Sequence, residues 1–281
     1  MAEEDFKRLA VNPFDDDIVK EPRDIPTSVL GLNDAPLKAL LHSFANLERT
    51  GAKGEQVKAV KAQLVISPER GYGKSHLLGR LFETLDRRAT RIYLRPFQDP
   101  QKCWHSILLQ TVQELERTEG PGPESETNPT QIGAFANGVI SGLTVLRIDD
   151  KSEPWFKWIR NVFKSKKDLH QLAAKLRAHI PNLIGRHEAW LRVLYGHAFS
   201  SEDDWSRVVA LKWIRGEPLE NDEVSEIGLS AADNDAKAEM SAAETNELSF
   251  QRLAGLCRLA GFYRPFLFCF DQTEFTGQTR N

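Results

Sequence analysis

The chain has 281 residues, of which 41% are hydrophobic and 27% charged, and its 37 basic and 40 acidic side chains give a formal net charge of −3. That length suffices for one large domain or two of ordinary size, and that composition is typical of a soluble globular protein. The near balance of charge gives no overall reason to expect a nucleic acid or an anionic membrane as partner, although it is compatible with a local basic patch.

Three sequence signals bear on localisation. No stretch reaches the roughly 18 uninterrupted apolar residues that a membrane helix requires. The N-terminal residues Met1–Arg8 are polar and acidic with no apolar core behind them, which argues against a signal peptide. The cysteines Cys103, Cys257 and Cys269 are scattered and odd in number, a pattern typical of buried free thiols in a reducing compartment. The sequence therefore predicts a cytoplasmic protein without membrane contact.

Composition divides the chain into four segments. Residues 1–33 are rich in Pro and Asp and predict an extended arm. Residues 34–118 alternate helical and strand patterns around a glycine-rich loop. Residues 119–247 open with a Gly- and Pro-rich stretch and then become mainly helical, whereas residues 248–281 return to a helix followed by a strand. We therefore expect a core domain in two parts, separated by a large helical insertion.

The strand patterns indicate a parallel sheet. Gln63–Ile66 is a short apolar run that predicts a buried strand directly before the glycine loop. A helix follows the loop, Arg91–Pro96 predicts a second strand, and Gln101–Arg117 predicts a second helix. A third and fully apolar strand is predicted at Phe266–Phe270. An order of strand, glycine loop, helix, strand and helix is typical of the start of a parallel α/β sheet.

The glycine loop carries the chemistry of phosphate binding. Its backbone must curl around the anion, which requires glycines, and the helix that follows offers free N–H groups and the positive end of its dipole. A lysine after the last glycine reaches the terminal phosphates, and a serine after that lysine places its hydroxyl on Mg²⁺. The candidate phosphate-binding residues are Glu69, Arg70, Gly71, Tyr72, Gly73, Lys74, Ser75 and His76.

One position departs from the phosphate-loop pattern, which asks for glycine where this chain has Pro68. Proline can begin a turn as glycine does, but it has no N–H to donate, so we expect a slightly reshaped loop. The alternative is an ordinary glycine turn that happens to carry a Lys-Ser pair. The strand before the loop and the helix after it favour the phosphate loop.

An aspartate at the tip of another buried strand completes such a site, and Asp271 directly follows Phe266–Phe270. On these residues the chain resembles the P-loop ATPases of the AAA+ and STAND type. The resemblance implies ATP and Mg²⁺ as cofactors, Lys74 as the phosphate-binding lysine, and Ser75 and Asp271 as the metal-side residues. A rival for this strand is Leu143–Ile148, which Asp149 and Asp150 follow.

The resemblance leaves the water-activating residue open. In most of these families the acid directly follows the strand-end aspartate, and here that place holds Gln272. Glu274 lies three residues after Asp271 and is the candidate base, with Gln272 as the competing residue that positions water. Weak or partner-dependent hydrolysis is therefore an open alternative.

The family's strand order, 5-1-4-3-2, sets a further expectation. It places a strand that comes later in the chain between the phosphate-loop strand and the strand before Asp271. Since the sequence ends ten residues after Asp271, it predicts an N-terminal fragment of the full core, with exposed sheet edges. The alternative is a reduced sheet in which the first and third strands pair directly.

Three smaller motifs each have two interpretations. Trp213 and Gly216 resemble a Trp-x-x-Gly element of large bacterial ATPases, some of them in phage-defence systems, but they also fit a helix that ends at Gly216 with Trp213 in its core. The basic run Lys164–Lys167 can contact nucleic acid or form a solvated helix face. Val29–Leu32 can lie against an adenine or pack the N-terminal arm onto the core.

We therefore expect an α/β protein with a three-layer P-loop sheet and a large helical insertion. Its expected activity is ATP hydrolysis that drives a conformational or assembly change, with a homo-oligomer or a partner protein in the intact form. One alternative is a nucleotide-gated scaffold that binds ATP with little turnover, and another is a small-molecule kinase. The absence of an Asn-Lys-x-Asp element favours ATP over GTP.

Overall fold

The computed structural model describes residues 31, 33–52, 62–66, 73–97, 99–119, 129–144, 153–199 and 205–270. The chain divides into two compact units, Met1–Asp86 and Arg87–Asn281. The first unit holds the end of the phosphate loop, and the second holds the strand that precedes Asp271.

The first unit contains two helices that pack on each other, α1 (Asp34–Ala52) and α2 (Lys74–Leu85). Helix α1 begins at Asp34, and its first backbone hydrogen bond joins the Leu37 N–H to the Asn33 carbonyl at 3.0 Å. An ion pair between Asp34 and Arg80, 2.8 Å long, joins the start of α1 to the middle of α2. Both helices are amphipathic, and their buried side chains lie at helical spacing.

The predicted strand at Gln63–Ile66 is wrong in the part of the chain that the structure describes. Residues 62–66 have no regular secondary structure, and the side chains of Leu64 and Ile66 are 80% and 79% exposed. An apolar run becomes a strand only where a neighbouring strand pairs with its backbone, and among the described residues no strand pairs with this segment.

The second unit is mostly helical around one small sheet. Its strands are β1 (Thr90–Leu94) and β2 (Phe266–Phe270). Its α-helices are α3 (Cys103–Leu115), α4 (Gln131–Thr144), α5 (Glu153–Lys164), α6 (Lys166–His179), α7 (His187–Phe199), α8 (Trp205–Arg215), α9 (Asn221–Glu226) and α10 (Ala242–Leu259). Short 3-10 turns cover Asp86–Arg88, which straddles the two units, and Pro100–Lys102, Ala231–Asp233 and Ala260–Phe262.

The two strands pair in parallel, with Thr90 opposite Phe266 and Leu94 opposite Phe270. The strand predicted at Phe266–Phe270 is confirmed, and the strand predicted at Arg91–Pro96 is confirmed over Arg91–Leu94, since β1 begins one residue earlier and ends two residues earlier than predicted. The expected α/β class holds in this coarse sense. Instead of a three-layer sheet, the described residues form two strands within a helical body, because most apolar surface of this unit is buried between helices.

Side chains close the edge of β1 that faces away from β2. Three of them, two glutamines and a glutamate, bond the backbone of every second residue along this edge, as a neighbouring strand would. Their bonds are Gln131 Oε1 with the Arg91 N–H (3.0 Å), Gln131 Nε2 with the Arg91 carbonyl (3.2 Å), Glu114 Oε2 with the Tyr93 N–H (3.3 Å), Gln110 Oε1 with the Arg95 N–H (2.7 Å) and Gln110 Nε2 with the Arg95 carbonyl (3.3 Å). Along this edge of β1, both backbone groups of Arg91 and the N–H of Tyr93 are thereby hydrogen-bonded without a further strand.

Helix α8 ends in a glycine cap. Gly216 has a φ of 74°, which an L side chain rarely adopts. Its N–H donates to the Trp213 carbonyl, and the Glu217 N–H donates to the Lys212 carbonyl, both at 3.0 Å. This pair of bonds is a Schellman motif. The interpretation of Trp213 and Gly216 as a helix end is therefore confirmed.

Trp213 lies in a buried aromatic cluster of the second unit. Its ring meets Trp190 edge-on at a centroid distance of 5.0 Å, and the guanidinium of Arg252 lies 3.3 Å above it. Its indole N–H donates to the Asp233 carbonyl at 2.8 Å. The cluster joins α7, α8 and α10, so it holds the predicted insertion and the predicted second part of the core together.

Two smaller expectations are corrected. The prediction of a strand at Leu143–Ile148 is wrong at Leu143 and Thr144, because helix α4 continues to Thr144. The other residues of that predicted strand, 145–148, lie outside the described residues. The cysteines are free thiols, as predicted, but burial is confirmed for Cys269 alone, since Cys103 is half-buried and Cys257 exposed.

Acid is expected to destabilise the second unit through His197, which is 2% exposed in α7. Burial, together with the nearby charge of Arg207, lowers the pKa of His197 to about 3. Because the pKa of His197 is lower in the folded than in the unfolded protein, its contribution to the free energy of unfolding is fully present above the unfolded pKa of about 6.5. That contribution is lost progressively as the pH drops toward 3. Between pH 7.5 and 5 this group accounts for a loss of about 2 kcal/mol.

Urea unfolding of the parent and of His197→Leu at pH 7.5 and 5.0 measures that loss. The leucine variant is expected to lose about 2 kcal/mol less than the parent over this range. Equal losses in the two proteins would show that His197 is not kept neutral by the fold.

Candidate functional site

The end of the phosphate loop is a sharp turn into α2. Gly73 has φ 72° and ψ 31°, the left-handed conformation that glycine adopts without a steric penalty. The helix begins at the next residue, Lys74, and the Leu77 N–H donates to the Gly73 carbonyl at 2.9 Å. The glycine of the motif therefore stands at the position where the backbone requires one.

The first turn of α2 places three predicted site residues together. Lys74, Ser75 and His76 are consecutive, and each is half-buried. The turn contains no acidic residue, and the cap, being glycine, offers no side chain that competes for the helix N–H groups. An anion is therefore favoured here by the helix dipole and by the lysine. These features fit a bound triphosphate with Mg²⁺.

A further polar contact at this turn was not predicted. The side-chain amide of Asn33 donates to the Gly73 carbonyl at 3.1 Å and so ties the start of α1 to the start of α2. Asn33 itself has a φ of 61°. A contact across 40 residues leaves no local signal in the sequence. It makes Asn33 a positioning residue for the loop.

The predicted metal-side residue follows strand β2, which belongs to the second unit. Strand β2 ends at Phe270, which is 50% exposed, and Asp271 is the next residue in the chain. Since β1 and β2 are parallel, their carboxyl ends lie at one edge of the sheet, where ligands of open α/β sheets bind.

Several predicted residues lie outside those that the structure describes. In the phosphate loop these are Pro68, Glu69, Arg70, Gly71 and Tyr72; after β2 they are Asp271, Gln272 and Glu274; elsewhere they are Val29, Leu30, Leu32, Asp149 and Asp150. The structure thus brings together Gly73, Lys74, Ser75 and His76 and describes no geometry for the metal-side group.

A serine and a histidine meet elsewhere, in the second unit. His105 Nδ1 lies 3.1 Å from Ser249 Oγ, which donates to the Thr245 carbonyl at 2.7 Å. Burial and the charge of Lys102 lower the pKa of His105. Ser249 is 1% exposed, so its hydroxyl is inaccessible to a substrate, and the pair joins α3 to α10.

Comparisons with known proteins return no match: no protein-family model fits the chain, and neither curated proteins nor solved structures are significantly similar to it. In the part of the chain that the structure describes, no helix combines the length and the apolar character needed to cross a membrane.

Proposed function

We propose that this chain is the ATP- and Mg²⁺-binding part of a P-loop ATPase. The observation that carries the proposal is the left-handed Gly73 directly before a helix whose first turn is Lys74-Ser75. The motif requires this glycine, this lysine and this hydroxyl in this order at a helix start. An ordinary glycine turn has no need of the lysine and the serine.

In this proposal, each residue of the site has a role in binding the nucleotide or the metal ion. The ammonium of Lys74 and the N–H groups at the start of α2 hold the terminal phosphates, and the hydroxyl of Ser75 holds Mg²⁺, with the carboxylate of Asp271 on the same ion. Bound Mg²⁺ neutralises charge on the phosphates. Asn33 keeps the Gly73 carbonyl in place and so orients the turn.

The sheet supports the same class of fold. In the order 5-1-4-3-2 the second strand is the outer one and pairs with the third, which ends at the metal-side aspartate. Here β1 pairs in parallel with β2, β2 ends next to Asp271, and side chains close the outer edge of β1. The three-layer P-loop core, with 34–118 and 248–281 as its two parts, remains part of this proposal.

Turnover depends on the residues after β2. Glu274 is the proposed base that activates the attacking water. The alternative is that Gln272, and not Glu274, positions this water. Because Gln272 occupies the position where an acid commonly stands, a nucleotide-gated scaffold with slow hydrolysis is the second candidate function. In either case, the energy of ATP would drive a change of conformation or assembly, in a homo-oligomer or with a partner protein.

Equilibrium binding and single-turnover hydrolysis of labelled ATP, with and without Mg²⁺, test the proposal on this chain. The ATPase is expected to bind ATP with Mg²⁺ and to hydrolyse it, and Glu274→Gln is expected to bind equally well but to turn over at least about 100-fold more slowly. Glu83→Gln, an exposed position on α2, is the matched control.

The outcomes separate the candidates. Binding without hydrolysis in the parent supports the scaffold, and transfer of the label to a small molecule supports a kinase. A folded parent that binds no nucleotide in the presence of Mg²⁺ contradicts both the ATPase and the scaffold.

A further inference from the structure

A strongly basic stretch lies in the second unit of a chain whose net charge is negative. Residues 160–192 contain eight Lys and Arg side chains and two acidic ones, against a net charge of −3 for the whole chain. Acidic residues are concentrated elsewhere, with ten of them and one lysine in residues 217–247. Charge is therefore segregated along the chain, which favours a partner of defined sign for the basic part.

The fold gives this basic stretch a shape. Helices α6 and α7 pack side by side and leave a surface groove of about 720 Å³ between them. Its lining residues are Lys166, Lys167, His170, Gln171, Glu188 and Arg192. A smaller hollow of about 80 Å³ shares His170 and Glu188 with it and extends it to Arg177 and Arg186. Because the two hollows share these lining residues, we refer to them together as the α6–α7 groove.

The acidic residue in this groove is already neutralised. Glu188 accepts a hydrogen bond from Arg192 at 3.2 Å. In contrast, the exposed side chains of Lys166, Lys167 and Arg177 form no ion pair with any carboxylate among the residues that the structure describes. Three solvated cations thus line the groove without a counter-charge of their own.

We propose that the α6–α7 groove binds the phosphate backbone of a nucleic acid. Lys166 and Arg177 are eleven residues apart on one helix, which is about 16 Å at 1.5 Å per residue. That length matches about five phosphates of one strand at 3.4 Å each. The lining has cations for phosphates but no Phe, Tyr or Trp on which bases stack, so binding is independent of sequence.

A salt titration with labelled oligonucleotides tests this proposal on the full chain. The probes are a 20-nucleotide single strand and a 20-base-pair duplex, measured by fluorescence anisotropy from 50 to 200 mM salt without nucleotide. We expect the logarithm of the binding constant to fall linearly with the logarithm of the salt concentration. The combined variant Lys166→Glu, Lys167→Glu and Arg177→Glu is expected to bind at least about tenfold more weakly, with a slope that is shallower by about three.

The control variant reverses three exposed lysines that do not line the groove, Lys38, Lys102 and Lys237. It changes the net charge equally and is expected to retain binding within about twofold of the parent, because steering by net charge alone is weak at these salt concentrations. All six positions are exposed, so circular dichroism of both variants should equal that of the parent.

Three results would overturn the proposal. One is a parent that binds neither probe at 50 mM salt, and the second is equal weakening in the groove variant and the control variant. The third is displacement of the oligonucleotide by polyglutamate at an equal concentration of charges, which would assign the groove to an acidic protein. Preference for the single strand or for the duplex decides which form of nucleic acid is bound.

Discussion

Replacement of Lys74 by alanine is expected to weaken ATP binding by about 100-fold or more. The lysine stands in the first turn of α2, directly after the left-handed Gly73, where its ammonium meets the terminal phosphates of the proposed ligand. Truncating one partner of a desolvated charge pair costs about 2–5 kcal/mol, and each 1.4 kcal/mol is a factor of ten in affinity. Fluorescence titration with a labelled ATP analogue in the presence of Mg²⁺ measures the loss.

Lys38→Ala is the matched control, because Lys38 is an exposed lysine of the same unit on α1. It is expected to leave the affinity unchanged within about twofold, as surface charges contribute little. If both variants bind ATP as the parent does, Lys74 has no role in phosphate binding and the glycine turn is ordinary. If Lys74→Ala alone fails, the phosphate loop is supported independently of any hydrolysis.

Replacement of Gly255 by alanine is expected to destabilise the second unit by about 3 kcal/mol, the upper end of the usual cost of overpacking a core. Gly255 lies inside helix α10, where alanine is normally the better residue by about 1 kcal/mol. A methyl group on it would lie 2.2 Å from Trp190 Cζ2 and 2.8 Å from Cε2. Trp190 is fully buried and meets Trp213, so its rigid ring cannot withdraw.

Denaturant unfolding followed by tryptophan fluorescence measures this effect. All six tryptophans lie in the second unit, so the signal reports that unit alone. Gly261→Ala is the control, because a methyl group there meets nothing within 4 Å, and we expect its midpoint to stay within error of the parent. A Gly255→Ala protein as stable as the parent would mean that α7 and α10 are not in close contact in solution.

The regular elements of the fold were largely predictable, because each has a local cause. Helices α1, α3 and α10 follow the spacing of their apolar residues, and β1 and β2 follow β-branched or aromatic runs. The start of α2 follows from the motif, since a glycine before Lys-Ser needs a left-handed backbone. In the candidate site, Gly73, Lys74, Ser75 and His76 form the start of α2.

The remaining features depend on contacts between residues that are distant in sequence. Gln63–Ile66 has the pattern of a buried strand, but a strand forms only where another strand pairs with it. The contact between Asn33 and Gly73 crosses 40 residues, and the bonds of Gln131 to Arg91 also cross 40. Asn and Gln residues of this kind look like ordinary polar residues in sequence, so their roles emerge only from the fold.

The side chains that close β1 also decide how this protein can associate. Exposed sheet edges are where chains join into larger sheets, swap strands or aggregate. On β1 that route is blocked, because Gln131 and Gln110 already occupy both the donors and the acceptors of Arg91 and Arg95. Any strand that extends this sheet must therefore be added beside β2. Growth of the sheet is therefore limited to one edge, that of the strand after which Asp271 comes in the sequence.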